Sequence, residues 1–194
     1  MGLAGEAFWN EHVAASCGAL AWMAAERLVG NKPTPKGAAQ GSVAGLAALA
    51  SGAGYVTNWG AVIIAWVAAP IAYFATLLKL KFSGPDDTLN AFALFAVPSV
   101  VGTFCTGIFA ANSISLASWP NGFVGSGAVD GFPKQIGYQF AGVLLGAVYS
   151  FSVTAGLLVV LNKTVGLRID EDSEATGIDV SEHGAEAYAK APSS

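Results

Sequence analysis

Side chains able to do chemistry are few in this sequence, and most stand inside apolar stretches. Asn10, Glu11 and His12 open one such stretch, and Trp22 and Glu26 close it. A lone histidine at the edge of an apolar segment reads as an interfacial side chain whose polar tip reaches toward water. Gln135, Tyr138 and Gln139 head another stretch at i, i+3 and i+4. That spacing puts them on one helical face, as hydrogen-bonding groups between helices. Asp86 and Asp87 suit the N-terminus of a helix better than acid–base work. Cys17 and Cys105 lie deep in apolar segments and are too few for a disulfide framework, so both read as structural thiols. The sequence contains no glycine-rich phosphate loop, paired-histidine metal motif, nucleophile elbow or C-x-x-C. The expectation is a protein that is not an enzyme and that uses no cofactor or metal.

Composition says what positions these residues. The 194 residues are 54% hydrophobic and 11% charged, with a mean hydropathy of +0.54. Soluble domains carry about 25% charged residues, so the chain reads as an integral membrane protein. The net charge of −4 comes from acids gathered in the C-terminal tail, and no basic cluster invites nucleic acid. The opening MGLAGEAFWNEH lacks the charged n-region and apolar h-region of a signal peptide, and none is expected.

Five segments are long and apolar enough to read as transmembrane helices: about 8–28, 37–56, 59–78, 88–111 and 135–162. Residues 1–162 thus form a membrane domain and 163–194 an acidic cytoplasmic tail. Arg27, Lys32, Lys36, Lys79, Lys81, Lys163 and Arg168 fall on one side, and Lys134 on the other. The positive-inside rule makes the crowded side cytoplasmic, with the N-terminus outside and the C-terminus inside. Trp9, Trp59 and Trp119 then make an outer aromatic belt. Gly37, Gly41 and Gly45 repeat every four residues, a face on which helix backbones can meet.

The stretch Asp86–Ala110, DDTLNAFALFAVPSVVGTFCTGIFA, orders the rest. At helical spacing Ala91, Phe95, Ser99, Gly102 and Thr106 share a mostly small side, and Leu94, Val97, Val101, Phe104 and Ile108 share a greasier one. Pro98 removes a backbone bond to the Leu94 carbonyl and favours a kink beside Phe95. In its Asp-Asp start, Phe92, Gly102, Thr106-Gly107 and Phe109-Ala110, the stretch resembles the penultimate membrane helix of the ammonium transporters (the Amt/Mep/Rh family). This chain has Phe95 where the family carries a pore histidine, Asn90 at a common Asp position, and Pro98-Ser99 for a usual glycine pair.

Further matches extend the resemblance from Phe8 to Tyr188. N-x-H followed by W-x-x-x-E (Asn10 to Glu26) is similar to the family's seventh helix. Lys32-Pro33-Thr34 with GAAQGSVAGL is similar to its eighth. The tail, polar and acidic enough to read as disordered by itself, resembles the family tail at Gly166-Leu167-Arg168, Gly177, Asp179, His183-Gly184 and Tyr188. The resemblance implies an all-α polytopic membrane protein whose five helices match the C-terminal half of an eleven-helix fold. It implies ammonium or ammonia transport across the cell membrane, with Phe95 lining the pore and Ser99 and Gly102 on the neighbouring helix face. It assigns tail contacts to Arg168, His183, Gly184 and Tyr188. The chain is then a truncated or split C-terminal portion, inactive alone. The alternative is a non-transporting subunit that assembles with full-length transporters and regulates them. Implied partners are the bilayer, a homotrimer or an N-terminal half or full-length homologue, and a PII-type signalling protein at the tail.

Overall fold

The structure is a computed structural model that describes residues 3–81, 87, 89–114 and 126–186. Trp119, Asp86 and Tyr188 lie outside the described residues. The chain divides into two compact units, Met1–Leu145 and Gly146–Ser194.

In the first unit, α1 (Leu3–Leu28) and α2 (Pro35–Leu49) form an antiparallel pair. Their buried residues are small: Ala14, Gly18, Ala21 and Ala25 on α1, and Gly37, Gly41, Ala44, Gly45 and Ala48 on α2. A Cβ on Gly45 would overlap the Ala14 carbonyl, and one on Gly18 would overlap the Gly41 carbonyl. The glycine repeat therefore works as the expected seam, letting backbones touch where a side chain would hold them apart.

The turn between the pair is closed by a carboxylate. Glu26, buried at the end of α1, accepts from the Thr34 amide (3.0 Å) and the Thr34 hydroxyl (3.2 Å). The Thr34 hydroxyl in turn accepts from the Gly37 amide at 2.9 Å and caps α2, with Pro35 in its first turn. Asn31 Nδ2 donates to the Tyr73 hydroxyl at 3.1 Å and ties this end to the third helix.

Helix α2 stops at Leu49, earlier than the apolar run in the sequence. Residues 50–55 instead form turns, and Asn10 organises them. Its buried Nδ2 donates to the Ala53 carbonyl (2.8 Å) and the Val56 carbonyl (2.9 Å), groups that a continuing helix would have used itself.

Helix α3 (Asn58–Lys81) buries Ala61, Ile64, Ala65, Ala68, Ala69, Ala72, Tyr73 and Thr76, a stripe at alternating steps of three and one. Two core clusters result. One joins Ala14, Ala48, Leu49, Val56 and Ile64, and the other joins Trp22, Ala25, Ala44, Tyr73 and Leu94. Trp22 meets Tyr73 edge-on, with ring centroids 5.3 Å apart. Val56 bridges Ala110, and the Ala111 amide donates to the Tyr55 carbonyl at 2.8 Å, so the end of α4 (Val97–Phe109) joins the Asn10 end.

Helix α5 (Lys134–Thr164) begins in the first unit, where a Cβ on Gly107 would press on Gln139 and Phe104 lies 6.2 Å from Phe140. The helix buries none of its residues. Asn58–Leu78, Phe92–Phe109 and Lys134–Thr164 are each long and apolar enough to cross a membrane, while α1 is diluted by Glu6, Glu11 and Glu26 and α2 has 15 residues. Trp9 and Trp59 are exposed.

Candidate functional site

The segment that carries Phe95 departs from an ordinary helix in three ways. Asp87 first anchors its start: one carboxylate oxygen accepts from the Ala91 amide at 2.7 Å and the other from the Phe92 amide at 3.2 Å. This is the capping duty expected of Asp87. Second, Asn90 sits at φ +56°, in the left-handed region that asparagine tolerates better than most residues. Third, Phe92–Ala96 form a π-turn, in which the Val97 amide bonds back to the Phe92 carbonyl.

Pro98 accounts for the π-turn. In an α-helix its ring would strike the Leu94 carbonyl, a conflict that costs about 3 kcal/mol. A wider turn gives that carbonyl room. The wide turn holds one extra residue, so everything before it is offset by about 100° from an unbroken helix. The consequence is visible in burial. Leu94, not Phe95, lies over the packed side of α4: Leu94 is 7% exposed and Phe95 is 56% exposed.

Ser99, Gly102 and Thr106 do share a face, and that face packs on α2. Ser99 Oγ donates to the Ala47 carbonyl at 3.1 Å, and Thr103 Oγ1 lies 3.2 Å from Ser51 Oγ. A Cβ on Gly102 would overlap the Ala48 carbonyl, and one on Gly52 would overlap Thr106 Oγ1. Phe95 thus stands apart from Ser99 and Gly102, which 3.6-residue spacing had placed beside it. Phe92 is exposed as well. The open side of this helix is aromatic and apolar, able to offer a ring face to a cation but no hydrogen bond.

On α1, Asn10, Trp22 and Glu26 are buried and hold the fold together, whereas His12 is exposed. Its Nδ1 lies 3.2 Å from the Phe8 carbonyl and its ring 4.4 Å from the Phe8 ring. Among the described residues there is no group of three or more His, Cys, Asp or Glu arranged to hold a metal ion.

The second unit gives the tail more order than its composition foretells. Helices α6 (Glu171–Thr176) and α7 (Ile178–His183) pack on each other. Arg168 grips Glu174 with two hydrogen bonds, Nη2 at 2.8 Å and Nε at 3.2 Å. Gly184, left-handed at φ +66°, ends α7 directly after the exposed His183. Asp170 caps α6 by accepting from the Ser173 amide at 3.0 Å, and that bond holds its carboxyl below the usual aspartate value. The sign follows: the cap's contribution is present above the unfolded aspartate pKa and is lost as pH falls through the depressed folded value. The Ser173 amide resonance is expected to shift in acid, with a midpoint below about 3.9. A midpoint at or above that value would contradict the capped geometry.

A family profile for the Ammonium Transporter Family matches residues 2–188. The chain belongs to the ammonium transporter family. It is 42% identical to an ammonium transporter of Aquifex aeolicus over 180 residues, covering 92% of this chain and 40% of that protein. The ammonium transporter of Bacillus subtilis is 33% identical over 188 residues, 96% of this chain and 45% of the relative. The crystal structure of Saccharomyces cerevisiae Mep2 superposes with a TM-score of 0.77 at 31% identity, covering 88% of this chain and 38% of Mep2. A sensor Amt protein superposes at 0.71 with 27% identity. The chain therefore spans about two fifths of the length of these ammonium transporters. Its all-α membrane fold is that of the matching part of the ammonium transporter fold.

Helical spacing put Phe95, Ser99 and Gly102 on one face; in the structure Ser99 and Gly102 pack on α2 and Phe95 is turned away from them. That spacing missed Leu94, which the offset turn brings to the seam, although Pro98 was the signal. Arg168, His183 and Gly184 all lie in the second unit, where Arg168 is engaged by Glu174.

Proposed function

We propose that the first unit forms one wall of a conduction path for ammonium or ammonia, the chain acting as part of an ammonium transporter. Family membership over residues 2–188 carries this reading. The exposed, aromatic face at Phe95, the position of the family's pore histidine, supports it. Phenylalanine cannot hydrogen-bond ammonia or relay a proton. It can narrow the path as an apolar plug, or meet a cation with its ring face. A path has two sides, and here the second comes from an N-terminal family half or a full-length homologue, within a trimer. Residues 1–162 act as the membrane domain. Residues 163–194 are a cytoplasmic tail whose Arg168, His183, Gly184 and Tyr188 meet a neighbouring subunit, next to a docking surface for a PII-type signalling protein.

By itself this chain is expected to conduct nothing measurable. In cells lacking ammonium transporters, methylammonium uptake should stay at background with this chain alone and rise when the family's N-terminal helices are co-expressed. Uptake by the lone chain at the rate of a complete transporter would refute the reading. A second reading, a regulatory membrane subunit, draws on the replacement of the pore histidine by Phe95. It predicts instead that co-expression depresses the uptake of a full-length transporter.

The lopsided Lys/Arg distribution supports an outside N-terminus and a cytoplasmic C-terminus. With Cys17 and Cys105 replaced, an impermeant thiol reagent applied to intact cells should label Val129→Cys and spare Glu171→Cys. The opposite pattern would overturn this orientation.

A further inference from the structure

We propose that Pro98 is a positioning residue that selects which of two adjacent side chains, Phe95 or Leu94, the helix presents on its open face. The inference borrows from the conduction reading only the meaning of that face; the selection itself rests on backbone geometry. Three observations converge on it. The π-turn Phe92–Ala96 ends two residues before Pro98, where its ring would otherwise meet the Leu94 carbonyl. The offset of one residue, about 100°, exchanges neighbours on the helix surface. Counted back from Ser99, Gly102 and Thr106 at steps of 4, 7 and 11, an unbroken α-helix puts residue 95 over the seam; with one residue inserted, that place falls to residue 94. Burial agrees with the inserted count, since Leu94 packs with Trp22 and Tyr73 in the core and Phe95 is exposed.

The segment's other end is fixed independently. Asp87 holds the Ala91 and Phe92 amides, and the Leu94 amide bonds to the Asn90 carbonyl at 2.9 Å. Below the turn, Ser99 and Gly102 pin α4 to α2. The wide turn is thus held between two anchored pieces, and its register decides the azimuth of the residues between them. Replacing Pro98 by alanine restores an amide that can donate to the Leu94 carbonyl, removing the steric reason for the fifth residue. The α-helical register then turns residue 95 toward α2 and residue 94 outward.

The experiment reads side-chain exposure in the whole chain, purified in detergent with Cys17 and Cys105 replaced. Leu94→Cys and Phe95→Cys are each made with Pro98 retained and with Pro98→Ala, and rates of modification by a small thiol reagent are compared. With Pro98, Phe95→Cys should react about eightfold faster than Leu94→Cys, following the exposures of 56% and 7%. With Pro98→Ala the order should reverse. An unchanged order in Pro98→Ala overturns the proposal, and so does an equal rise at both sites, which marks a role in folding alone. Should Pro98→Ala not fold, Pro98→Ser, which restores the same amide, takes its place: a reversed order supports the proposal and an unchanged order overturns it. No uptake enters these rates, so failure of the conduction reading leaves them intact.

Discussion

Gly102→Leu is expected to detach α4 from α2 and to lower the unfolding temperature of the purified chain more than any surface substitution. A Cβ on Gly102 would overlap the Ala48 carbonyl, and the Ala48 Cα lies close behind it. The obstacle is backbone, so no rotamer change can relieve it. Overpacking typically costs about 1–3 kcal/mol where side chains can yield; here the expected cost stands at the top of that range or above it. The hydrogen bond from Ser99 to Ala47 and the contact of Thr103 with Ser51 belong to the same seam and would be lost with it. Gly142→Ala on α5 is the control, since nothing lies within 4 Å of its Cβ position. It should be neutral or stabilising by up to about 1 kcal/mol from helix propensity. Thermal unfolding in detergent, followed by tryptophan fluorescence, compares the two. Equal midpoints would mean that α4 does not pack on α2 through Gly102.

Phe95→His should give methylammonium uptake a pH dependence that the natural chain lacks, once the N-terminal helices are supplied. Histidine ordinarily titrates near 6.5. Above that pKa the neutral imidazole offers a donor and an acceptor to ammonia. Below it the imidazolium repels a cation arriving in the same path. Uptake by the variant should therefore fall on acidification, roughly tenfold for each pH unit below its pKa once the ring is charged. The chain with Phe95 has no titrating group at this position and should not show that step. A variant whose pH profile coincides with that of the parent would place residue 95 away from the path.

These predictions draw on features that differ in how plainly the sequence displays them. The seam of Gly37, Gly41 and Gly45 was readable, because a four-residue repeat of glycine has one meaning on a membrane helix: close backbone contact. The end of α2 at Leu49 was not. Ala50, Ser51, Gly52, Ala53 and Gly54 are small and uncharged, and hydropathy does not distinguish a last helical turn from a loop of such residues. The deciding group, the Asn10 amide, comes from another helix. Glu26 looked like one half of a family motif, and its bonds to Thr34 give that motif a physical purpose in closing the α1–α2 turn. The exposure of Phe95 depended on an inserted residue that no 3.6-residue count contains. Pro98 announced a break in the ladder, but a proline in the sequence does not say whether a kink or a widened turn will relieve it; the structure takes the widened turn, with Leu94 in the cluster of Trp22 and Tyr73. In the tail, acidic composition concealed local order that Asp170, Arg168 and Glu174 provide through short-range bonds.

The central claim is that the face bearing Phe95 lines the path ammonium takes, and chemical block at that position tests it most directly. Phe95→Cys and Leu94→Cys, each lacking Cys17 and Cys105, would be co-expressed with the N-terminal helices and treated with a bulky, positively charged thiol reagent during methylammonium uptake. We expect uptake through Phe95→Cys to fall to background and to recover when a reducing agent removes the adduct, while Leu94→Cys is untouched. Full uptake through a Phe95→Cys chain shown by mass to be completely modified would contradict the account.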